Sequence, residues 1–94
     1  AQVTVMLQTW QSSRDRLRRY DSALIPLAAE RTQAALTAYR GGSGTLASVL
    51  EARRMALDTQ MDRLRLDMDT ARIWAQLNYL IPVEHDAAIP VLDH

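Results

Sequence analysis

The three glycines of this chain lie within four positions, at Gly41, Gly42 and Gly44. Glycine tolerates positive φ and destabilises a helix interior by about 1 kcal/mol, so the cluster marks the place where the backbone turns. The glycine-free stretches on either side favour helices. We therefore predict an all-α fold, a long antiparallel two-helix coiled-coil hairpin with helices over about 2–39 and 46–81 joined by a tip at 40–45.

Apolar residues of the first predicted helix recur every seven positions. One line consists of Val3, Trp10, Leu17 and Leu24, and its companion of Met6, Tyr20 and Leu27. This a/d pattern is typical of a helix that packs lengthwise on another helix, and the alanines that follow it allow a close approach near the turn. Pro26 removes one backbone donor and crowds the carbonyl of Ser22, so we expect a kink or a local break there.

The second predicted helix, capped by Ser43 or Thr45, carries two apolar lines. The first is Leu50, Leu57, Leu64 and Ala71 with Met61, Met68 and Ala75 beside it, and the second, facing another way, is Leu66, Ile73 and Leu80. Two lines predict two packing partners, and a hydrophobic share of 48% is high for an isolated hairpin. We therefore expect association into a helical bundle, through self-association or with helices of a larger protein.

The remaining residues, 83–94, follow Pro82 and contain Pro90, and they predict an extended or disordered tail. The tail holds both histidines and the consecutive residues Glu84, His85 and Asp86, which do not easily converge on one metal ion. With the histidines away from the helical body, no catalytic constellation is visible, and we expect no enzymatic activity. We expect no metal site and no cofactor either.

Composition narrows the classes of partner. Eleven arginines balance eleven acidic residues, and the net charge of zero argues against nucleic acid as a general partner. No cysteine is present, which excludes disulfides and thiolate metal sites. No apolar run approaches the length of a membrane-spanning helix, so we expect no membrane span in this chain.

Several side chains that suggest a metal, ligand or nucleic-acid site have a simpler interpretation. Met61 and Met68 suit helix packing better than a soft metal ion, and Asp58 and Asp62 show a spacing common on exposed helices. A solvated surface with weak ion pairs is expected for Arg14, Arg16, Arg18 and Arg19. A packing role is expected for the aromatic residues Trp10, Tyr20, Trp74 and Tyr79.

Four segments of the chain, in this order, resemble segments of TolC-type outer-membrane efflux proteins. Residues 24–28 (L-I-P-L-A) are similar to an L-L-P-x-A stretch of that family. Residues 38–46 (A-Y-R-G-G-S-G-T-L) and 48–54 (S-V-L-E-A-R-R) resemble its A-Y-x-x-G and D-V-L-x-A-x-R segments. Residues 71–82 (A-R-I-W-A-Q-L-N-Y-L-I-P) are similar to the end of its last long helix in the heavy-metal efflux branch.

The resemblance implies that this chain is the second, C-terminal periplasmic hairpin of an outer-membrane channel that exports metal ions or small toxic molecules. Full-length members are homotrimers whose hairpins form the wall of an export duct. The periplasmic adaptor of a tripartite pump, which also includes an inner-membrane pump, would dock on the tip residues Arg40, Gly41, Gly42, Ser43, Gly44, Thr45 and Leu46.

Tyr39 matches a family tyrosine that helps to close the periplasmic gate. The best-known members carry a basic residue where this chain has Gly44, so that part of the gate network does not carry over, although Arg40 is a candidate substitute. A second function, of a different class, also agrees with the pattern. In that interpretation two hairpins pair into a four-helix bundle and act as a stand-alone dimerisation or scaffold module.

Overall fold

The computed structural model describes the backbone of residues 1–88 and the side chains of residues 1–80. Helix α1 spans Gln2–Arg19, a π-helical turn spans Tyr20–Leu24, α2 spans Ile25–Arg40 and α3 spans Leu46–Ala88. We call α1, the π-helical turn and α2 together the first arm. The first arm packs antiparallel along α3, which confirms the all-α helical hairpin.

Three contacts between the arms define their register. Trp10 stacks on Trp74, and Asp21 pairs with Arg63. The Thr32 hydroxyl shares its hydrogen between the Ala28 carbonyl of its own helix at 3.0 Å and the Ala52 carbonyl of α3 at 3.3 Å. Residue 42 is the midpoint of all three pairs. The glycine cluster is therefore the centre of the fold-back, as its position in the sequence predicts.

The side chains of α3 that face the first arm follow a heptad pattern, and we call them the inner seam. Its members are the buried or half-buried residues Val49, Ala52, Ala56, Thr59, Arg63, Leu66, Thr70, Ile73, Leu77 and Leu80. Leu77 is fully buried and Leu66 is 8% exposed. Of the two apolar lines predicted on this helix, the line of Leu66, Ile73 and Leu80 is the one that packs within the hairpin.

The local break expected at Pro26 takes the form of the π-helical turn that precedes it. The N–H of Ile25 donates to the carbonyl of Tyr20, five residues back, so this turn contains one residue more than an α-helical turn. A widened turn relieves the crowding between the ring of Pro26 and the carbonyl four residues earlier, that of Ser22. The first arm therefore remains helical on both sides of Pro26.

The extra residue shifts the face that the first arm presents to α3. Side chains facing α3 follow the predicted heptad as far as Tyr20, and then step to Ile25 and Ala28. The prediction that Leu24 and Leu27 continue the packing lines is wrong, because they are 38% and 42% exposed. The smaller side chain of Ala28 occupies the interface instead and permits the close contact between Thr32 and Ala52.

The second helix continues beyond its predicted end near residue 81. It passes Pro82 and reaches Ala88, so the prediction of an extended tail is wrong for residues 83–88. The φ of proline is itself helical, its penalty of about 3 kcal/mol is local, and the good helix formers Glu84, Ala87 and Ala88 follow it. The rest of the predicted tail, residues 89–94, lies outside the described residues.

Candidate functional site

The tip begins with a Schellman motif at the end of α2. Gly42 has a φ of 83°, its N–H donates to the Tyr39 carbonyl at 3.1 Å, and the N–H of Ser43 donates to the Ala38 carbonyl at 2.9 Å. These bonds satisfy carbonyls that the helix end would otherwise leave unpaired. Glycine is favoured at position 42 because most side chains disfavour this backbone conformation.

The start of α3 is closed by Thr45. The N–H of Ser48 donates to the Thr45 hydroxyl oxygen at 3.1 Å, and the two hydroxyls lie 2.9 Å apart. Thr45 is thus the helix cap, one of the two candidates that the sequence offers. The other candidate, Ser43, donates its hydroxyl to the Ala38 carbonyl at 3.3 Å and belongs to the end of α2.

Gly44 is needed for a different reason, since it lies against the end of α2. A Cβ atom at this position would come within 3.0 Å of the Ala38 Cβ and 3.1 Å of the Tyr39 nitrogen. At Gly42, by contrast, a Cβ atom would meet no atom within 4 Å. The glycines at 42 and 44 therefore meet a conformational and a steric demand respectively, and both demands come from the turn itself.

The structure brings all predicted tip residues together at one end of the hairpin. Arg40, Gly41, Gly42, Ser43, Thr45 and Leu46 are exposed, and Gly44 is half-buried. Leu46 is an apolar side chain 52% exposed at the first position of α3. Tyr39, in the last turn of α2, is 44% exposed. The tip thus combines accessible backbone with accessible apolar and cationic side chains.

A second accessible surface is the face of α3 turned away from the inner seam, which we call the outer stripe. Its large members are Leu50, Leu57, Met61, Leu64 and Met68, continued by Ala71 and Ala75. Leu57 and Leu50 are 60% and 59% exposed, and Met68 is 59% exposed. Met61 and Met68, which the sequence assigns to helix packing, are 48% and 59% exposed within the hairpin.

An ion pair ties the π-helical turn to α3. The Arg63 guanidinium donates from Nε to Asp21 Oδ1 at 3.0 Å and from Nη2 to Asp21 Oδ2 at 3.1 Å. This bidentate hydrogen bonding lowers the pKa of Asp21 below its ordinary value and raises the pKa of Arg63. Arg63 also lies 3.3 Å from Asp67. Sequence periodicity misses this contact because it places a charged side chain on the inner seam.

The aromatic residues divide between packing and exposure. Trp10 and Trp74 stack with their ring centroids 4.9 Å apart, and the Arg14 guanidinium lies 5.1 Å from the Trp10 ring. The stack confirms a packing role for the half-buried Trp10, whereas Trp74 contacts Trp10 but remains 45% exposed. Tyr79 is 73% exposed, so the same expectation is wrong for Tyr79 within the hairpin.

The arginine-rich part of α1 behaves as a solvated surface. Arg18 pairs with Asp15 at 2.8 Å while both side chains remain exposed, as expected of a weak surface ion pair.

No cluster of three or more metal-ligating side chains occurs among the residues that the structure describes. Within those residues, none of the helices is both long and apolar enough to cross a membrane.

Comparisons of the chain with protein-family models, with curated proteins and with solved structures find no match. The likeness to TolC-type proteins therefore depends on the four sequence segments described above. Independently of that likeness, the geometry provides two surfaces on which another chain can pack. They are the tip, residues 40–46, and the outer stripe of α3.

Proposed function

We propose that this chain is a periplasmic helical hairpin of an outer-membrane efflux channel, where it forms part of the export duct wall and docks the periplasmic adaptor of a tripartite pump. The observation that carries the proposal is the pairing of an exposed glycine-containing tip with an unpartnered apolar stripe on the same rod. A duct wall needs lateral apolar faces between hairpins, and its end needs a surface for a different protein. Both are accessible here.

The tip supports the docking role through its shape. Gly42 carries no side chain and a Cβ atom there would meet open space, so another backbone can approach closely at this point. Leu46 offers an apolar contact and Arg40 a cationic one on the same end of the hairpin. In the proposed duct Tyr39 contributes to the gate, three copies of the full-length protein form the channel, and the inner-membrane pump completes the complex.

A site-specific photo-crosslinker tests the docking role. Placed at Ser43 in a protein that carries this hairpin, and expressed with the adaptor and pump of the same bacterium, it is expected to capture the adaptor. The same crosslinker at Gln33, an exposed position on α2 away from the tip, is the control and is expected to capture none. Equal capture from both positions, or none from Ser43, would contradict the docking proposal.

Substitution of Gly42 gives a second readout. Gly42→Val is expected to reduce adaptor capture about tenfold, because a β-branched residue at a φ of 83° costs about 1–2 kcal/mol and distorts the tip. Gly42→Asn is the matched control, since asparagine tolerates this conformation better. Circular dichroism is expected to show little change in helicity for either variant. Unchanged capture by Gly42→Val would refute the assignment of the tip.

The outer stripe also supports the second candidate, a stand-alone dimerisation or scaffold module. Its large apolar side chains are accessible without any adaptor or duct. In this alternative the stripe would be the functional surface and the tip only a connector. The crosslinking experiment separates the two functions, because a connector gives no specific adaptor capture from Ser43.

A further inference from the structure

The outer stripe has the spacing of a coiled-coil interface. From Leu57 its members follow at intervals of four and three residues, through Met61, Leu64, Met68 and Ala71 to Ala75. This is the same alternation that the inner seam uses to pack against the first arm. The stretch from Leu50 to Ala75 is roughly 38 Å long at 1.5 Å per residue. It therefore offers more than three heptads of a second packing face.

Charge reverses along one edge of this stripe. The residues that directly follow Leu50, Leu57, Leu64 and Ala71 are Glu51, Asp58, Arg65 and Arg72. Their side chains are 56%, 64%, 71% and 68% exposed, in that order. The edge is thus acidic towards the tip and basic away from it. A second copy turned end for end presents the opposite order.

We propose that two copies of the chain pair through their outer stripes with the α3 helices antiparallel. Leu57 then lies opposite Met68 of the second copy, and Met61 opposite Leu64. Along the edge, Glu51 lies opposite Arg72 and Asp58 opposite Arg65. The pair is a four-helix assembly with its two tips at opposite ends. The proposal rests on the second candidate function, the dimerisation module, and adds to it the identity of the partner, a second copy of this chain, and the orientation of the pair.

Arg54 decides between the two possible orientations. It continues the stripe between Leu50 and Leu57, and its side chain is 65% exposed. In a parallel pair Arg54 would face Arg54, and Ala71 would face Ala71, which combines charge repulsion with a gap. In the antiparallel pair Arg54 faces Ala71, so the long side chain has room to carry its charge to water. At both ends of the interface a large residue then faces a small one, Arg54 against Ala71 and Leu50 against Ala75, which favours the antiparallel orientation.

Disulfide trapping tests the orientation, since the natural sequence has no cysteine. An equal mixture of Leu57→Cys and Met68→Cys chains is expected to form a crosslinked dimer on mild oxidation. Neither variant alone is expected to form a crosslinked dimer. In the antiparallel pair, two copies of the same residue lie roughly 16 Å apart along the helix axis, beyond the reach of a disulfide. Met55→Cys, on an exposed residue outside the stripe, is the control and is expected to crosslink with neither.

Two outcomes would overturn the proposal. Efficient crosslinking of Leu57→Cys with itself would show a parallel pair. A strictly monomeric natural chain in sedimentation at about 100 μM would show that the stripe belongs to another partner. Circular dichroism of each variant establishes that the helices are intact, which is expected because all three substituted side chains are exposed.

A charge swap tests the edge contacts. Asp58→Arg is expected to weaken the dimer about tenfold, because two copies of the contact with Arg65 occur in each pair. Adding Arg65→Asp to the same chain is expected to restore the affinity, because the opposite charges then meet again across the pair. Asp58 and Arg65 also have partners within their own chain, Arg54 and Asp62, and the swap does not restore those pairs. Failure of the swap to restore affinity would contradict the proposed contact.

Discussion

Leu66→Ala is expected to lower the free energy of unfolding of the hairpin by about 2–5 kcal/mol, as measured by urea denaturation followed by circular dichroism. Leu66 is 8% exposed and lies on the inner seam, so truncation removes buried apolar surface and leaves a cavity between the arms. A two-helix hairpin has a small core, and a loss of this size is a large part of the stability of a domain. Substantial unfolding of the Leu66→Ala variant in buffer without urea would agree with the same expectation.

Leu64→Ala provides the control, two residues away on the same helix. Leu64 is 47% exposed on the outer stripe, and alanine has the higher helix propensity, so the expected change is within about 0.5 kcal/mol. The measurement is made at a concentration where the chain is monomeric, so that association does not contribute. A larger loss for Leu64→Ala than for Leu66→Ala would mean that the other apolar line packs against the first arm.

Leu57→Glu is expected to weaken self-association at least about a hundredfold while the hairpin stays folded. Burial of a leucine contributes about 1.5–3 kcal/mol, and each proposed dimer contains two copies of Leu57. A carboxylate placed against Met68 of the second copy would also be desolvated without a partner. Within one chain Leu57 is 60% exposed, so the substitution removes little intramolecular packing. Sedimentation equilibrium measures the affinity.

Met55→Glu makes the same change of charge at an exposed apolar residue off the stripe. Met55 is 48% exposed and lines a groove beside the π-helical turn together with Leu24 and Leu27. We expect it to change the dimer affinity by less than about threefold, because it lies outside the proposed interface. If the two variants weakened association equally, the outer stripe would not be the dimer interface.

The hairpin itself could be predicted from the sequence because each determinant is local. A glycine cluster between two glycine-free heptad patterns specifies a turn between helices, and Thr45 has the side chain that a helix cap requires. The tip residues come together for the same reason, since they are consecutive in the chain. Their role in docking remains a prediction that rests on the resemblance.

The register of the first arm beyond Tyr20 could not be predicted from the heptads. The π-helical turn adds one residue to the helix. Heptad spacing assumes a uniform helix, so it places Leu24 and Leu27 in the interface with α3. The shift accompanies the π-helical turn before Pro26, and the heptad spacing gives no sign of that turn. The Asp21 to Arg63 ion pair is equally invisible, because its partners are distant in sequence and meet only once that register is established.

The end of α3 shows that a proline in the sequence does not always end a helix. A proline in a helix interior costs about 3 kcal/mol in free energy, yet the helix continues past Pro82 to Ala88, and the good helix formers Glu84, Ala87 and Ala88 follow the proline. Periodicity also cannot say which of the two apolar lines on α3 faces the first arm. Both lines have heptad spacing, and the choice follows from the cross-arm contacts at Thr32, Asp21 and Trp10.

The distance between spin labels at Gln11 and Arg72 shows whether the chain folds back on itself at residues 41–45. Both positions are exposed, and excess unlabelled chain removes distances between copies. Helices packed about 8–10 Å apart predict a separation below about 30 Å between the labels. One uninterrupted helix would place them roughly 90 Å apart at 1.5 Å per residue, and a distance of that order would contradict the hairpin.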